Sequence, residues 1–221
     1  MPAKARTAWN TTHGGQFANG PGDEPTLVYT RMLSGPMDYT PGILSLEGAE
    51  NVPLASMLAK QIGLYLAIYS PIQTAADFVE RLAAHPRQLE FFSKVPADWA
   101  QSRLIADKVG DYAIFVRKDQ GSEHWYVGGV NHATARDLVF TMDFLDQGRT
   151  YAARLWKEGE GATYLTDARC RIAYETRTVK KGDTPPPLLA PGAAQRSASI
   201  LAGSIKASCG LAGSGSHTYA C

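Results

Sequence analysis

The sequence contains only three cysteines, Cys170, Cys209 and Cys221, in 221 residues. An odd number at long spacings predicts neither a disulfide framework nor a C-x-x-C zinc knuckle. The five histidines also fall in no metal-ligand spacing, so each is expected on the surface or in a loop. Cysteine and histidine residues therefore give no indication of a structural metal site.

Charge of one sign and long apolar runs are also missing. A net charge of +1 at pH 7 gives no electrostatic reason to expect nucleic acid or an anionic membrane surface as a partner. The longest apolar run, Ile62 to Ile68, is much shorter than the roughly 20 residues that a membrane span needs. The early basic residues are followed by no apolar stretch, so a secretory signal of an exported parent would lie upstream. Because the chain carries almost no net charge, we expect its ligand to be uncharged.

The first hundred residues alternate between strand-like and helix-like segments. Residues 1–25 are rich in Gly, Asn, Thr and Pro and are expected to be loop, with a short buried strand following over Thr26 to Tyr29. Apolar spacing predicts a helix from about Pro53 to Ile68. A short strand over 72–77 and helices over 76–84 and 86–93 are expected next. This alternation is typical of an α/β barrel or a doubly wound sheet.

From Arg103 onward the sequence changes to short alternating or β-branched runs separated by turn signals such as the one at Lys180 to Asp183. Regularly spaced strands of this kind predict an antiparallel β-sandwich, with the domain boundary near Pro96 to Gln101. Fifteen of the twenty-five residues from Ser197 to Cys221 are Ser, Ala or Gly, so this tail is expected to be poorly ordered. The predicted domains are 1–98, 99–200 and a disordered 201–221.

The loop RMLSGPMDYTPG, which begins at Arg31, is the strongest candidate for a functional site. Asp38 and Tyr39 lie between Pro36 and Pro41, so the backbone around them loses little entropy on ordering and could hold a carboxylate at a site. An aspartate that caps a turn fits the spacing equally well. Arg31 could pair with Asp38, contact a ligand or form a solvated ion pair.

Several segments together resemble the C-terminal part of glycoside hydrolase family 97. They are TLVYTRMLSGPMDYTPGIL, LAKQIGLYLAIYSPIQTAAD, VPADW, RLIADKVGDYAIFVRK, WYVGGVN and LLAPG, within about residues 10 to 200. These enzymes are α-glucosidases and α-galactosidases with a catalytic TIM barrel between two β-sandwiches. The resemblance implies an α/β part followed by an all-β part, which would be the end of a TIM (β/α)8 barrel plus the C-terminal antiparallel β-sandwich. Arg31, Asp38 and Tyr39 would then line or support the sugar pocket at the catalytic face.

The chain departs from the family pattern at two acidic positions. The family typically has two glutamates six residues apart, of which the second resembles the general acid and both help to hold calcium in some members. Here Asn10 and Gln16 stand at those positions. An amide cannot donate a proton as a carboxylic acid does, nor supply calcium with a charged oxygen. The other catalytic carboxylates of the family lie earlier in the barrel, so we expect this chain alone to be inactive, with calcium binding doubtful.

Two functions from different classes fit these observations. The first is a C-terminal fragment of a glycoside hydrolase whose parent acts on α-glucosides or α-galactosides. The second is a non-catalytic β-sandwich module for oligomerisation or carbohydrate binding that carries barrel remnants; a gene remnant without function is a third. Exposed Trp125, Tyr126 or Trp156 in a shallow groove would favour sugar binding, and a flat apolar patch would favour subunit contact. The family resemblance also implies a periplasmic or secreted location.

Overall fold

The computed structural model describes residues 23–37, 39, 42–47, 53–73, 75–132, 139–184, 199–207 and 216–219. Within these ranges four α-helices precede the strands: α1 (Asp23–Val28), α2 (Leu58–Ala67), α3 (Val79–Ala83) and α4 (Pro86–Lys94). Two 3-10 helices in the same ranges cover Arg31–Ser34 and Asp167–Cys170. No helix in these ranges is long and apolar enough to span a membrane.

The seven strands among the described residues form a single antiparallel sheet. They are β1 (Trp99–Lys108), β2 (Tyr112–Asp119), β3 (Trp125–Asn131), β4 (Thr150–Glu158), β5 (Ile172–Lys180), β6 (Ser199–Ala207) and β7 (Ser216–Tyr219). Their order is β1-β2-β3-β6-β4-β5-β7, so β6 lies between two strands that precede it in the chain. Every pair of neighbours is antiparallel.

Side chains alternate between the two faces of this sheet because successive residues of a strand point in opposite directions. One face carries a core to which β1, β2, β3, β4 and β5 all contribute, covered by residues 140–145. Ile105 of β1 and Val179 of β5 pack in that same cluster although four strands separate β1 from β5 in the sheet order. Contact between such distant strands requires a strongly curved sheet.

Helix α2 packs against the opposite face, across β3 and β6. All ten of its residues are buried, including Lys60 and Gln61. Its apolar residues join two core clusters that contain Tyr126 of β3, Trp156 of β4 and Ala113 of β2. The segment before Trp99 therefore packs directly on the sheet, because the two contribute side chains to the same clusters.

The first half differs from the sequence expectation in its strands. The predicted strand over Thr26 to Tyr29 is wrong, because this stretch is the end of α1 and the following turn. Pro25 in the first helical turn, preceded by acidic residues, favours a helix start. The predicted helix from Pro53 begins only at Leu58.

A barrel is not shown by the described residues. Before Trp99 their β-pairing consists of two isolated bridges, Tyr39 with Gln73 and Glu47 with Pro53. Among the described residues of the expected strand over 72–77, only Gln73 takes part in such a bridge. The helix at Pro86–Lys94 and the turn at Lys180 to Asp183 are confirmed.

The second half confirms the antiparallel β-structure, with three differences. The described strands form one curved sheet rather than two facing sheets. Residues 199–207 and 216–219, which were expected in or beside a poorly ordered tail, form β6 and β7. Cys170 is disulfide-bonded, although the cysteine spacing predicted no disulfide framework.

Candidate functional site

Arg31 binds its own loop rather than an open cavity. Its guanidinium donates to Ser34 Oγ at 3.3 Å, to the Gly35 carbonyl oxygen at 3.3 Å and to the Pro36 carbonyl oxygen at 3.2 Å. Gly35 has φ of 112°, a conformation that glycine tolerates and other residues avoid. These contacts close the turn that leads into Tyr39. The predicted substrate role of Arg31 stays a prediction.

Tyr39 lies in the core with an exposed fraction of 3%. Burial raises the pKa of its phenol well above the ordinary value, and the neighbouring charges of Glu24 and Tyr65 raise it further. Beside it, Glu24 of α1 forms an ion pair with Lys60 of α2, whose side chain is fully buried. Tyr39 thus anchors its loop in the hydrophobic core. Its direct contact with a ligand stays a prediction.

Three predicted site residues, Asn10, Gln16 and Asp38, lie outside the described residues. Their predicted roles as substituted calcium ligands, substituted general acid and substrate contact therefore remain predictions. Within the described ranges, no group of three or more His, Cys, Asp or Glu side chains could hold a metal ion.

A cavity of about 600 Å³ opens between the loop at Ser45, the start of α4 and the start of β5. Its polar lining includes Ser45, Glu47, His85 and Arg87, while its apolar lining includes Leu44, Leu58 and Ile172. Glu47 is the sole carboxylate among the described lining residues. Hydrolysis by paired carboxylates needs a second one, so this lining can bind a small molecule through hydrogen bonds and charge but does not supply a glycosidase pair.

Polar contacts behind the cavity hold its rim in place. Arg81 of α3 forms an ion pair with Glu47 at 2.9 Å and donates to Ser45 Oγ at 3.2 Å. The Asp77 carboxylate accepts the Ser45 backbone N–H at 2.8 Å. Burial lowers the pKa of His85, and the negative charge of Asp77 acts in the opposite direction. His85 is therefore held toward its neutral form.

Sequence reasoning missed this cavity entirely. Ser45 lies 32 residues from Asp77 and 36 residues from Arg81, so no short motif links them. A weak local signal was present in Asp77, two residues before α3, and in His85-Pro86 at the start of α4, since aspartate near a helix start and proline at its first position are common. Neither pattern indicates that the two helix starts meet the same loop.

The three aromatic residues considered for sugar binding are buried. Trp125, Tyr126 and Trp156 have exposed fractions of 3%, 4% and 5%. Trp125 packs against Phe144, and Trp156 packs edge-on against Phe91. Their faces are occupied by the core, so the groove that would favour carbohydrate binding is not formed by these side chains.

Comparison with known proteins decides the family. Residues 98–193, which begin one residue before β1 and extend past β5, match the model described as glycosyl-hydrolase 97 C-terminal, oligomerisation. The chain is 35% identical to a family 97 glycoside hydrolase from Pseudoalteromonas sp. strain K8, whose structure was solved in complex with panose, with a TM-score of 0.78 over 92% of this chain. Residues 98–193 are a C-terminal domain of glycoside hydrolase family 97, and the chain is similar to the C-terminal part of such enzymes.

Curated relatives at the level of sequence are α-galactosidases. The chain is 30% identical to a retaining α-galactosidase of Bacteroides thetaiotaomicron over 174 residues, which is 75% of this chain and 25% of that protein. It is 35% identical to a probable retaining α-galactosidase of Streptomyces bingchenggensis over 159 residues, or 72% of this chain and 22% of that protein. The chain spans about a quarter of these relatives and 30% of the solved structure.

Proposed function

We propose that this chain acts as the C-terminal, non-catalytic and self-associating part of a family 97 glycoside hydrolase. The observation that carries the proposal is the match of residues 98–193 to a C-terminal domain described by its role in oligomerisation. These residues include β1 to β5, five of the seven strands of the curved sheet. Helix α2 packs on this sheet, so the sheet would also help to hold the loop at Arg31 and Tyr39 in place.

The residues at two acidic positions support the proposal that the chain is non-catalytic. Gln16 stands where the family resemblance places the general acid, and an amide is too weak an acid to transfer a proton to a leaving group as a carboxylic acid does. The described cavity is lined by one carboxylate, Glu47, which Arg81 holds in an ion pair. An α-galactoside or α-glucoside would then be the substrate of a longer protein to which residues like these contribute a supporting loop.

Light scattering and hydrolysis measured on the same purified 221-residue chain test the two parts separately. Molar mass would be followed by size-exclusion chromatography with light scattering over about a hundredfold range of concentration. Hydrolysis of 4-nitrophenyl α-galactoside and α-glucoside would be measured with and without calcium, beside the Gln16→Glu variant. We expect a concentration-dependent dimer or larger oligomer and no hydrolysis by either form.

Single aspartate substitutions identify the surface that associates. Leu104, Val109 and Leu165 are exposed apolar residues within the matched domain, and aspartate in at least one of these positions should weaken association. Leu33→Asp is the matched control because Leu33 is also exposed but lies outside residues 98–193. A monomer at every concentration would contradict self-association, while hydrolysis by the unmodified chain would contradict the non-catalytic role.

Calcium binding and location belong to the same proposal. Asn10 and Gln16 retain neutral amide oxygens, which are weaker calcium ligands than carboxylates. We expect calcium to have little effect on thermal stability of the chain and a larger effect on the Asn10→Glu, Gln16→Glu double variant.

A periplasmic or secreted location follows from the family resemblance and would be measured by fractionation of cells that express the parent protein.

A further inference from the structure

One buried side chain in the cavity between the loop at Ser45, the start of α4 and the start of β5 lacks a partner. Gln88 lies in the first turn of α4 and lines this cavity. Its exposed fraction is only 7%, yet no hydrogen bond joins its side-chain amide to another described residue. Buried amides are nearly always hydrogen-bonded, because burial without a partner loses the bonds that water would make.

The amide of Gln88 borders the cavity itself. It is not among those polar side-chain atoms of the described residues that are fully enclosed without a partner, so it keeps contact with open space, and the cavity is the open space that Gln88 lines. The side chain of His85 does not cap α4, so the backbone N–H of Gln88 also lacks a partner within the helix. Two amide donors, one amide acceptor and one backbone donor are thus available at this residue.

The charged groups around the cavity are already matched by other groups. Arg81 holds Glu47 Oε2 at 2.9 Å, and the guanidinium of Arg87 lies 4.9 Å from the ring centroid of Tyr174, within the range of a cation-π contact. With His85 neutral, as its lowered pKa favours, the described lining has one carboxylate and one guanidinium and no net formal charge. Such a lining gives a charged ligand no net attraction, so hydrogen bonds must select the ligand.

Apolar side chains and the size of the cavity restrict the ligand further. Leu44, Leu58 and Ile172 belong to the lining. The volume of about 600 Å³ lies within the range of roughly 300 to 1,000 Å³ that small-molecule sites have. A purely apolar ligand would leave the buried amide of Gln88 without a partner. A neutral sugar fits both parts of the lining, because its hydroxyl groups donate and accept while its C–H surfaces pack on apolar side chains.

We propose that this cavity binds a neutral carbohydrate of one or two sugar units, with the Gln88 amide and the Glu47 carboxylate as the groups that contact its hydroxyls. The bound sugar supplies the partners that the Gln88 amide lacks. Glu47 Oε1, which accepts no hydrogen bond from a described residue, accepts one from a hydroxyl. Binding requires neither hydrolysis nor self-association, because both residues lie outside residues 98–193 and the described lining holds no second carboxylate.

Titration of the full nitrogen-15-labelled chain, followed by NMR, tests the site and the ligand class. D-Galactose, D-glucose and melibiose are each added up to about 50 mM. We expect a Kd on the order of 1 mM and the largest shift changes at residues 45–47 and 85–88. Gln88→Leu and Glu47→Gln should each weaken binding by about threefold to tenfold. Gln120→Leu is the matched control, because Gln120 is exposed in the turn between β2 and β3, and its Kd should not change.

Three outcomes would overturn the proposal. An unchanged Kd in both cavity variants would place the sugar elsewhere, and an absence of shifts with all three sugars, or shifts with inorganic phosphate alone, would exclude the ligand class. The thermal unfolding midpoint of Gln88→Leu gives the third. Leucine has a similar volume and needs no partner, so the midpoint should stay equal or rise, whereas a fall of several degrees would show that the amide serves the fold rather than a ligand.

Discussion

Arg117 of β2 donates a 2.7 Å hydrogen bond from Nε to the carbonyl oxygen of Leu66 in the last turn of α2. The same guanidinium donates to the Ala67 carbonyl oxygen at 3.5 Å and to Ser102 Oγ of β1 at 2.7 Å. The last carbonyl groups of a helix lack partners within the helix and carry partial negative charge. A buried cation from the sheet therefore completes the C-terminus of α2 and joins the segment before Trp99 to the curved sheet.

Removal of this cation should destabilise the protein. Arg117 has an exposed fraction of 3%, so Arg117→Ala leaves buried helix carbonyls without a donor and also removes packing. We expect the free energy of unfolding to fall by about 3 kcal/mol. Urea denaturation of the full chain measures the change.

Two variants make the Arg117 result specific. Arg117→Lys keeps the charge but lacks the fork of donors, so an intermediate loss is expected. Arg103→Ala, on the exposed face of neighbouring β1, should change the free energy of unfolding by no more than about 0.5 kcal/mol. Equal losses in Arg117→Ala and Arg103→Ala would contradict the role assigned to Arg117.

Gly128 of β3 allows α2 to approach the sheet. A Cβ atom at this position would lie 2.3 Å from Leu66 Cβ and 3.1 Å from the Gly63 carbonyl oxygen. Gly128→Ala must therefore displace the helix, and we expect a loss of about 1 to 3 kcal/mol in urea denaturation. Gly121→Ala is the matched control, because its nearest atom would lie 3.9 Å away.

A double-mutant cycle with Leu66→Ala tests the contact itself. Leu66→Ala alone should cost about 2 to 5 kcal/mol, since Leu66 is fully buried. In that background position 66 keeps its Cβ atom but loses Cδ1, which would lie 2.9 Å from the added methyl group, so part of the cost at position 128 should disappear, at least about 0.5 kcal/mol. Strict additivity of the two changes would show that the methyl group is excluded by the helix itself, through the Cβ atom of residue 66 and the Gly63 carbonyl oxygen, rather than by the outer part of the Leu66 side chain.

The sequence predicted correctly those helices and strands that are determined by residues adjacent in the chain. Pro86 at the first helical position predicted α4, and the alternation around Ile114 and Val116 predicted β2, because proline geometry and strand pleating depend on neighbouring residues. The strand prediction over Thr26 to Tyr29 is wrong because the acidic residues and the proline at the start of α1 favour a helix more strongly than the β-branched residues favour a strand. Strand β6 was not predicted because its residues are mostly Ser, Ala and Gly, which do not by themselves indicate a strand. It forms between β3 and β4, and local composition does not reveal those partners.

The candidate site was less predictable because long-range packing decides it. The proline-rich loop was recognised as rigid, but neither the contacts of Arg31 with its own turn nor the burial of Tyr39 could be read from spacing. His85, Asp77 and Arg81 share one rim only because α3 and α4 fold back onto the loop at Ser45. The resemblance of several segments indicated glycoside hydrolase family 97, whereas hydrophobic periodicity indicated no functional residue.

The partial burial of His85 predicts a dependence of stability on pH. Burial lowers its pKa in the folded chain, so below the ordinary value of about 6.5 the unfolded state binds more protons than the folded state. Stability should therefore fall as the pH drops through that value. Urea midpoints measured between pH 8 and 5 should show a shallower fall in His85→Gln.

Asp77→Asn provides a control of opposite sign. The negative charge of Asp77 raises the pKa of His85 and so opposes the effect of burial. Its removal should lower that pKa further and steepen the loss of stability toward acidic pH. If the pH dependence were shallower in Asp77→Asn than in the natural chain, a group other than His85 would be responsible.

The ion pair between Lys60 and Glu24 predicts a large asymmetry between single and double substitutions. The Lys60 side chain has no exposed area and that of Glu24 is 12% exposed, so Lys60→Met leaves a carboxylate in the core without this cation. We expect a loss of about 3 to 5 kcal/mol in urea denaturation. Lys60→Met combined with Glu24→Gln should recover at least about half of it, because a neutral amide is much cheaper to bury than a carboxylate.

The exposed pair between Lys94 and Glu90 of α4 is the matched control. Its two charged atoms lie 2.7 Å apart, but both side chains are about half exposed. Water screens such a pair, so Lys94→Met should cost less than about 1 kcal/mol. A similar small loss for Lys60→Met would mean that Glu24 turns toward solvent when its partner is removed, and the α1–α2 contact would then depend on apolar packing rather than on the buried charges.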